Sequence, residues 1–304
     1  MKSLRQYILE AQKNGVAVGH FNFSTFDVAQ AIVNAAKAQG VPVILGLSEG
    51  ERDFVDLKAA VAWVKSIRET QYEPVFLNAD HTYSFDRVKE AVEAGFDMVI
   101  FDDAGGDLEK NIEEAKKCKS MIDDWNGGAE NFSQIPWWRK IFRTETARQE
   151  VLFEAELGYI GKSSKVLTEL PDGLQKTSPE TAKKFVDAVL PDLLAPAVGN
   201  VHGMLKDVPD PNLDEKLCGE IFTTVKIPLV LHGASGNTAA DIQACIKNGV
   251  AVVHVNTEIR VAYKKALERV AEEKEVAPYK YMKTIEESVQ KVVEEKIKIF
   301  NFRY

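Results

Sequence analysis

Short apolar runs rich in β-branched residues alternate with longer amphipathic stretches along the chain. Continuous rather than alternating hydrophobicity is typical of parallel strands that are buried on both faces. The segments between the runs have helical patterns: Thr25–Ala38 has apolar residues on one face, Ser84–Ala94 stops at Gly95, and Asp241–Lys247 stops at Asn248-Gly249. The eight predicted strands are Val16–Asn22, Val41–Ser48, Pro74–His81, Asp97–Ala104, Leu152–Gly158, Leu193–Gly199, Pro228–Ala234 and Ala251–Thr257.

This alternation predicts an α/β fold of the (β/α)8 TIM-barrel type. Eight strand–helix units in 304 residues fit one barrel, and no Pro-, Gly- or Ser-rich linker divides the chain. We therefore expect residues 1–304 to form a single domain. A doubly wound open sheet is the competing fold. It normally carries a glycine-rich dinucleotide turn after its first strand, and VGHFNFSTFD is not such a turn.

One stretch between the fourth and fifth apolar runs interrupts the alternation. Residues 123–149 are locally basic and contain Trp125, Trp137 and Trp138. We expect an inserted loop that packs on the barrel or on a second subunit. An active-site lid and a partner-binding patch are the alternatives.

Composition and charge exclude several classes of protein. A net charge of −8, from 38 basic and 46 acidic residues, disfavours binding to nucleic acid or to an anionic membrane. No apolar run approaches the length of about 18 residues that a membrane span needs, and MKSLRQY lacks the apolar stretch of a secretion signal. The three cysteines, Cys118, Cys218 and Cys245, are widely spaced, which argues against a disulfide framework or a cysteine-built zinc site. We expect a cytoplasmic protein.

All five histidines lie at or just past the carboxyl end of a predicted strand: His20, His81, His202, His232 and His254. In a barrel these ends converge on one rim, where the catalytic residues of barrel enzymes lie. A single histidine there is more often structural, but five at the same end of the fold indicate a site. Three neutral imidazoles and an open position make a catalytic Zn²⁺ site. Spacing does not decide which three, because no two histidines share a helical motif such as HExxH.

The segment after the seventh run is typical of a phosphate-binding turn. His232–Thr238 passes from strand into helix and offers backbone N–H groups, a serine hydroxyl and a helix N-terminus. The next strand ends at Asn256-Thr257, and barrels commonly hold phosphate on the loops after these two strands. Lys206 and Arg260 can supply positive charge, although each would by default be a solvated surface cation.

Several of these segments together carry a family resemblance. NADHTYSFDRVKEAVEAGFDMVIFDDA, FEAELGYIG, LLAPAVGNVHGMLK and PLVLHGASGN, followed by HVNTEIRVAY, resemble the class II, metal-dependent ketose-bisphosphate aldolases. Typical members are fructose-1,6-bisphosphate and tagatose-1,6-bisphosphate aldolases. The likeness runs in order from about Val18 to the last helix, apart from the insertion, and the set of motifs is far more specific than any one of them.

The resemblance implies reversible, zinc-dependent cleavage of a ketose 1,6-bisphosphate, first of all fructose 1,6-bisphosphate, to dihydroxyacetone phosphate and glyceraldehyde 3-phosphate. It implies the zinc ligands His81, His202 and His232, with Asp80 as acid/base at the C4 hydroxyl. Asp102 and Glu156 match carboxylates near the metal that either orient the histidines or bind a displaced or second cation; a monovalent cation is a further option. The residues expected around the substrate are Asn22, Ser48, Gly203, Lys206, Gly233, Ser235, Asn256 and Thr257. A homodimer or homotetramer is also implied.

The chain departs from the family pattern at three points. Thr82 follows Asp80-His81 where many relatives have another His or Cys, and His254 stands where the family often has an Asn that contacts the intermediate. The loop GKSSKVLTELPDG lacks a secure match for a catalytic Glu, so Glu169 has no assigned role and the group that handles the enediolate proton is open.

Other functions compete with this interpretation. An aldolase for tagatose 1,6-bisphosphate or another phosphorylated keto-sugar is the nearest alternative. A metal-dependent hydrolase would usually show an HxH pair on the first strand, and FNFSTF after His20 offers none. A Schiff-base mechanism would need a lysine where the sixth strand ends in Gly-Asn-Val-His. A protein that binds a phosphosugar without catalysis is the last alternative. The presence of Asp80 together with His81, His202 and His232 weighs against it.

Overall fold

Eight parallel strands close into a barrel in which every strand pairs with its neighbours in the sequence. The computed structural model of the protein describes residues 2–127, 150–161, 164–206 and 210–303. The barrel strands are β1 Val18–Asn22, β2 Val43–Leu47, β3 Val75–Thr82, β4 Met98–Phe101, β5 Leu152–Leu157, β6 Leu193–Pro196, β7 Leu229–Leu231 and β8 Val250–Val255. The last strand pairs with the first, which closes the sheet. Six of the strands fall inside one of the predicted apolar runs, and β3 and β8 each extend one residue beyond theirs, so the predicted barrel is confirmed.

Helices fill the connections between the strands. Three of them end at a glycine in the left-handed conformation that ends a helix without side-chain strain: Gly15, Gly40 and Gly95, with φ of 65°, 65° and 104°. The helices are α1 Leu4–Asn14, α2 Phe26–Gln39, α3 Glu49–Val55, α4 Leu57–Thr70, α5 Phe85–Ala94, α6 Leu108–Gly127, α7 Pro179–Val189, α8 Glu215–Val225, α9 Ala239–Lys247, α10 Thr257–Val270 and α11 Pro278–Phe300.

The predicted insertion begins inside a helix. Residues 123–127, with Trp125, are the last turn of α6, so the expected loop does not start at residue 123. The rest of the stretch, including Trp137 and Trp138, lies outside the described residues. On the loops that follow β5 and β6, the two-residue strands Val166–Leu167 and Met204–Leu205 pair in parallel.

The barrel interior is layered, with an apolar floor beneath a polar upper half. The floor contains Val18, Ile44, Phe76, Met98, Leu152, Leu193, Val230 and Val252, and it packs on Leu4 and Ile8 of α1. Because side chains alternate between the two faces of a strand, the next inward positions lie two and four residues further along. On β3 these positions are Asn78 and Asp80, and on β5 they are Glu154 and Glu156. This period places polar side chains at the carboxyl end of the barrel.

Among the described residues, no helix combines the length and the apolar character that crossing a bilayer requires.

A buried arginine joins the ends of β2 and β3. Arg52 on α3 is 1% exposed, and its Nη1 donates to the carbonyl oxygens of Leu47 (2.7 Å) and Asp80 (3.0 Å). Its Nη2 donates to the hydroxyl of Thr82 at 3.2 Å. These bonds span a point where the β3–β4 register shifts and where His81 takes a positive φ of 42°, a conformation that costs a non-glycine residue about 1–3 kcal/mol. Arg52 therefore holds the backbone that carries Asp80 and His81.

We expect Arg52→Met to destabilise the fold. Each buried carbonyl that loses its donor costs about 1–3 kcal/mol, so the free energy of unfolding should fall by several kcal/mol, measured by chemical denaturation. Arg87→Met is the matched control, because Arg87 pairs at the surface with Asp53 and Glu90 and should lose at most about 1 kcal/mol. Equal stability losses in the two variants would contradict this role for Arg52.

Candidate active site

One cavity at the carboxyl end of the barrel brings most of the predicted residues together. It is lined by Asn22, Asp80, His81, Ser164, His202, Gly203, His232, Gly233, Ser235, His254, Asn256 and Thr257. Four predicted residues lie outside this lining. Asp102 and Glu156 contact His81 from behind, and Ser48 donates to a carboxylate oxygen of Glu51 at 2.8 Å. The side chain of Lys206 is exposed.

Three of the histidines point ring nitrogens at one another. A nitrogen from each of His81, His202 and His232 lies within 4.8 Å of the other two. The rings cross steeply where His81 faces His202 and His232, with centroids 4.6 Å and 5.0 Å apart. Steep crossing lets separate rings direct their in-plane lone pairs to one point, as a tetrahedral metal site requires.

The second nitrogen of each of these histidines is held by an acceptor. His202 Nδ1 donates to the carbonyl of Gly161 at 2.7 Å, and His232 Nε2 donates to Glu154 Oε1 at 2.7 Å. His81 Nδ1 lies 3.0 Å from Asp102 Oδ2 and 3.3 Å from Glu156 Oε2. Such bonds fix the tautomer and leave the other nitrogen for a metal. His232 Nδ1 is buried with no hydrogen-bond partner, so the residues present fit a metal ion.

The electrostatics of the three rings also favour a cation. Burial, reinforced by the nearby His81, lowers the pKa of His202 to about 4, so this ring is neutral. Burial also lowers the pKa of His81, but Asp80, Asp102 and Glu156 outweigh burial and raise it well above its ordinary value. The field that retains a proton on His81 would equally stabilise a divalent cation between the rings.

The side chain of Asp80 is ionised, and it faces the same cavity. Its Oδ2 accepts a hydrogen bond from Asn22 Nδ2 at 2.8 Å, whereas its Oδ1 is buried without a hydrogen-bond partner. Burial raises the pKa of Asp80, but the imidazoles of His81, His254 and His20 more than offset this and hold the pKa well below its usual range. An ionised oxygen without a partner is suited to accept a proton from a substrate.

The turn after β7, His232–Thr238, lies beside these groups; it is the segment predicted to bind phosphate and is here called the cradle. Gly233 has a φ of 60°, and a Cβ there would lie 2.1 Å from the carbonyl oxygen of Val201, so the position requires glycine. Ser235 and Thr257 line the cavity with it, and α10 begins at Thr257, which directs a helix N-terminus to the same place. Backbone N–H groups at such a terminus bind anions.

A partly buried ion pair supports the cradle from the side away from the cavity. Glu258 Oε1 accepts from the backbone N–H of Gly236 at 2.9 Å and from Lys296 Nζ at 2.7 Å. The backbone N–H of Glu258 lies 3.4 Å from the hydroxyl of Ser235. Because Lys296 is on α11, this helix fixes the turn that follows β7.

Several residues of the site lack an assigned role in the sequence prediction. Glu154 binds His232, and its signal was a glutamate two positions before Glu156 inside an apolar strand. Glu51 Oε1 accepts from Arg260 Nη2 at 2.6 Å, so the cation that the sequence offered to phosphate is paired with a carboxylate. Ser164 lines the cavity. No local pattern marks Glu51 or Ser164, because tertiary structure alone brings them to the site.

Comparisons with known proteins identify the family of the chain. A sequence profile of the family described as "Fructose-bisphosphate aldolase class-II" matches residues 2–130 and 139–303. The fructose-bisphosphate aldolase of Staphylococcus aureus is 33% identical over 306 residues, which cover 98% of this chain and 96% of that protein. The fructose-bisphosphate aldolase of Staphylococcus epidermidis is 32% identical over 305 residues, with coverage of 98% and 96%.

Solved structures share the fold. The YdjI aldolase from Escherichia coli superposes with a TM-score of 0.78 at 24% identity, covering 99% of this chain and 97% of that one. Fructose-bisphosphate aldolase from Campylobacter jejuni gives 0.76 at 19% identity, covering 98% and 94%. At such low identity these structures support the barrel architecture. The family profile and the curated relatives extend over nearly the whole chain, and the chain therefore belongs to the class II fructose-bisphosphate aldolases, a family of metal-dependent carbon–carbon lyases.

Proposed function

We propose that the protein catalyses the reversible aldol cleavage of fructose 1,6-bisphosphate to dihydroxyacetone phosphate and glyceraldehyde 3-phosphate, with Zn²⁺ as its metal. The observation that carries the proposal is the meeting of three parts in one cavity. These are the three inward imidazoles, the ionised Asp80 with its unpartnered oxygen, and the glycine-rich turn at a helix N-terminus. Together they match a substrate with a carbonyl, a hydroxyl to deprotonate and a phosphate.

His81, His202 and His232 would hold the ion. A bound Zn²⁺ supplies Lewis-acid stabilisation of the negative charge that develops on the ketose half when the C3–C4 bond breaks. Asp102 and Glu156 orient His81, and Glu154 orients His232, so that each ring keeps its free nitrogen inward. Asp102 and Glu156 are also the groups that would hold a displaced or second cation.

Asp80 performs the proton transfer in this proposal. In cleavage it takes the proton from the C4 hydroxyl as the C3–C4 bond breaks and the aldehyde forms; in condensation it returns that proton. Asn22 holds Oδ2, so the unpartnered Oδ1 is the oxygen that receives the proton.

The remaining predicted residues would position the substrate. Gly203, Gly233, Ser235 and Thr257 offer backbone N–H groups and hydroxyls to the ketose phosphate, and Lys206 would add charge from the rim. Asn22 and Ser48 would line the same side of the site as the phosphate, and Asn256 would lie beside the substrate. A phosphate fixed in this way converts binding energy into orientation at the reacting carbons. We also propose a homodimer or homotetramer, and the cytoplasm as the compartment, since all three cysteines are free thiols.

The first experiment is an assay of triose phosphate release from fructose 1,6-bisphosphate by the purified protein. Activity should disappear on chelation and return with Zn²⁺, and it should exceed activity on tagatose 1,6-bisphosphate. A preference for tagatose 1,6-bisphosphate would replace the substrate assignment. Activity that resists chelation would overturn the metal, and an inactive zinc-loaded protein would point to another phosphorylated keto-sugar or to a binding protein.

His202→Ala should lose the metal. One of three ligands is removed, while the acceptors of the other two rings stay in place. The zinc-to-protein ratio after dialysis, measured by atomic emission, should fall well below that of the wild type. Lys206→Ala is the control, because its exposed side chain is expected to bind phosphate and to leave the zinc content unchanged. Full zinc occupancy in His202→Ala would exclude it as a ligand.

Asp80→Ala should keep the metal and lose catalysis. Removal of a general acid/base typically lowers the rate about 10²–10⁴-fold, so kcat should fall in that range while zinc content is retained. Asp86→Ala, at an exposed position in the first turn of α5, serves as the matched control. Undiminished turnover of Asp80→Ala would exclude the acid/base role.

Lys296→Met should weaken phosphate binding without stopping catalysis. Glu258 would lose its buried partner and hold the Gly236 backbone less firmly, so KM for the bisphosphate should rise about 3- to 10-fold, or about 0.7–1.4 kcal/mol. Inorganic phosphate should inhibit more weakly by a similar factor. Lys298→Met changes an exposed lysine on the same helix and should leave both constants as they are. An unchanged inhibition constant in Lys296→Met would show that α11 does not tune the cradle.

A further inference from the structure

Three imidazoles are stacked beside Asp80. His254 lies between His20 and His232, with ring centroids 3.5 Å from the first and 4.2 Å from the second. The planes are inclined by only 5° and 19°. All three side chains are buried. Of these three rings, the proposed chemistry gives a role only to His232. His20 and His254 are buried imidazoles without a role in it.

His20, the ring at one end of the stack, is held firmly in place. His20 Nε2 accepts a hydrogen bond from Asn78 Nδ2 at 3.0 Å. Gly46 on β2 makes the room: a Cβ there would lie 2.2 Å from His20 Cε1. A buried imidazole with a hydrogen bond on one edge and a ring on its face has little freedom to turn. His20 therefore fixes the plane of His254.

The middle ring faces the catalytic carboxylate. His254 Nδ1 is 3.6 Å from Asp80 Oδ1, just beyond hydrogen-bond length, and His81 Nε2 is 3.8 Å from the same oxygen. When His81 Nε2 is committed to a metal, it has no proton to offer Asp80. His254 is then the imidazole left to donate towards Oδ1, while Asn22 keeps Oδ2.

A second metal site is a competing interpretation of this cluster. His20, Asp80 and His254 do place ligand atoms within 4.8 Å of one another. However, a metal binds an imidazole lone pair, which lies in the plane of the ring. Two nearly parallel rings with centroids 3.5 Å apart have separate planes, so one ion cannot lie in both. The stack fits orientation better than chelation.

We infer that His254 is a positioning residue for Asp80. Its Nδ1–H keeps Oδ1, the proton-accepting oxygen, turned towards the C4 hydroxyl, and His20 keeps the ring in the required plane. The inference rests on the proposed function, because it assigns His254 to the step in which Asp80 takes the proton. It predicts a defect in turnover rather than in metal or phosphate binding.

The decisive variants are His254→Phe and His254→Asn. Phenylalanine keeps a flat ring in the stack but has no N–H, whereas the asparagine amide nitrogen occupies about the position of Nδ1. With zinc-loaded proteins, kcat for fructose 1,6-bisphosphate cleavage should fall about 10- to 100-fold in His254→Phe, with KM within about twofold. His254→Asn should recover most of the loss. In an Asp80→Ala background, His254→Phe should have no further effect.

A second readout separates positioning from general damage. Exchange of the dihydroxyacetone phosphate C–H proton with deuterated solvent uses the metal and the phosphate cradle but no C4 hydroxyl, so it does not need Asp80. His254→Phe should therefore exchange at about the wild-type rate while cleaving slowly. Equal losses in both reactions, loss of zinc, or unchanged cleavage would each overturn the role of His254. A wild-type protein that neither cleaves nor exchanges would instead overturn the proposed function.

Discussion

The need to stabilise buried carboxylates governs the upper half of the barrel. Asp80, Glu154 and Glu156 are 3%, 0% and 3% exposed, and such groups are tolerated in the interior only when donors or cations surround them. Imidazoles meet this requirement here. His81 and His232 each direct one nitrogen to a carboxylate, which leaves the other directed into the cavity. The same pairing that makes the interior stable thus prepares the cluster to receive a metal ion.

Much of the fold could be predicted because its signals are local. Parallel strands buried on both faces produce continuous apolar runs, and each of the eight runs coincides with a strand to within a few residues. The rule that strand ends converge on one rim then brings His81, His202 and His232 together although they are far apart in sequence. Glycine stops such as Gly95 mark helix ends well because glycine adopts the left-handed conformation without side-chain strain.

The rest of the site depends on contacts between distant elements, which no local pattern records. Which carboxylate meets which histidine depends on how far neighbouring strands are staggered around the barrel, so the pairing of Glu154 with His232 could not be read from either segment. Arg52 looks like a surface residue of a short helix, yet it is buried against β2 and β3. The stacking of His20 on His254 could not be read from either segment, because it needs the space left by Gly46 on a third strand.

The apolar floor of the barrel also has a kinetic consequence. In the part of the chain that the structure describes, this layer and α1 close the amino-terminal end, while the polar cavity lies at the opposite rim. Ligands that enter and ligands that leave must therefore use the same carboxyl-terminal rim of the barrel. A molecule that remains at this rim therefore blocks the approach of the next one.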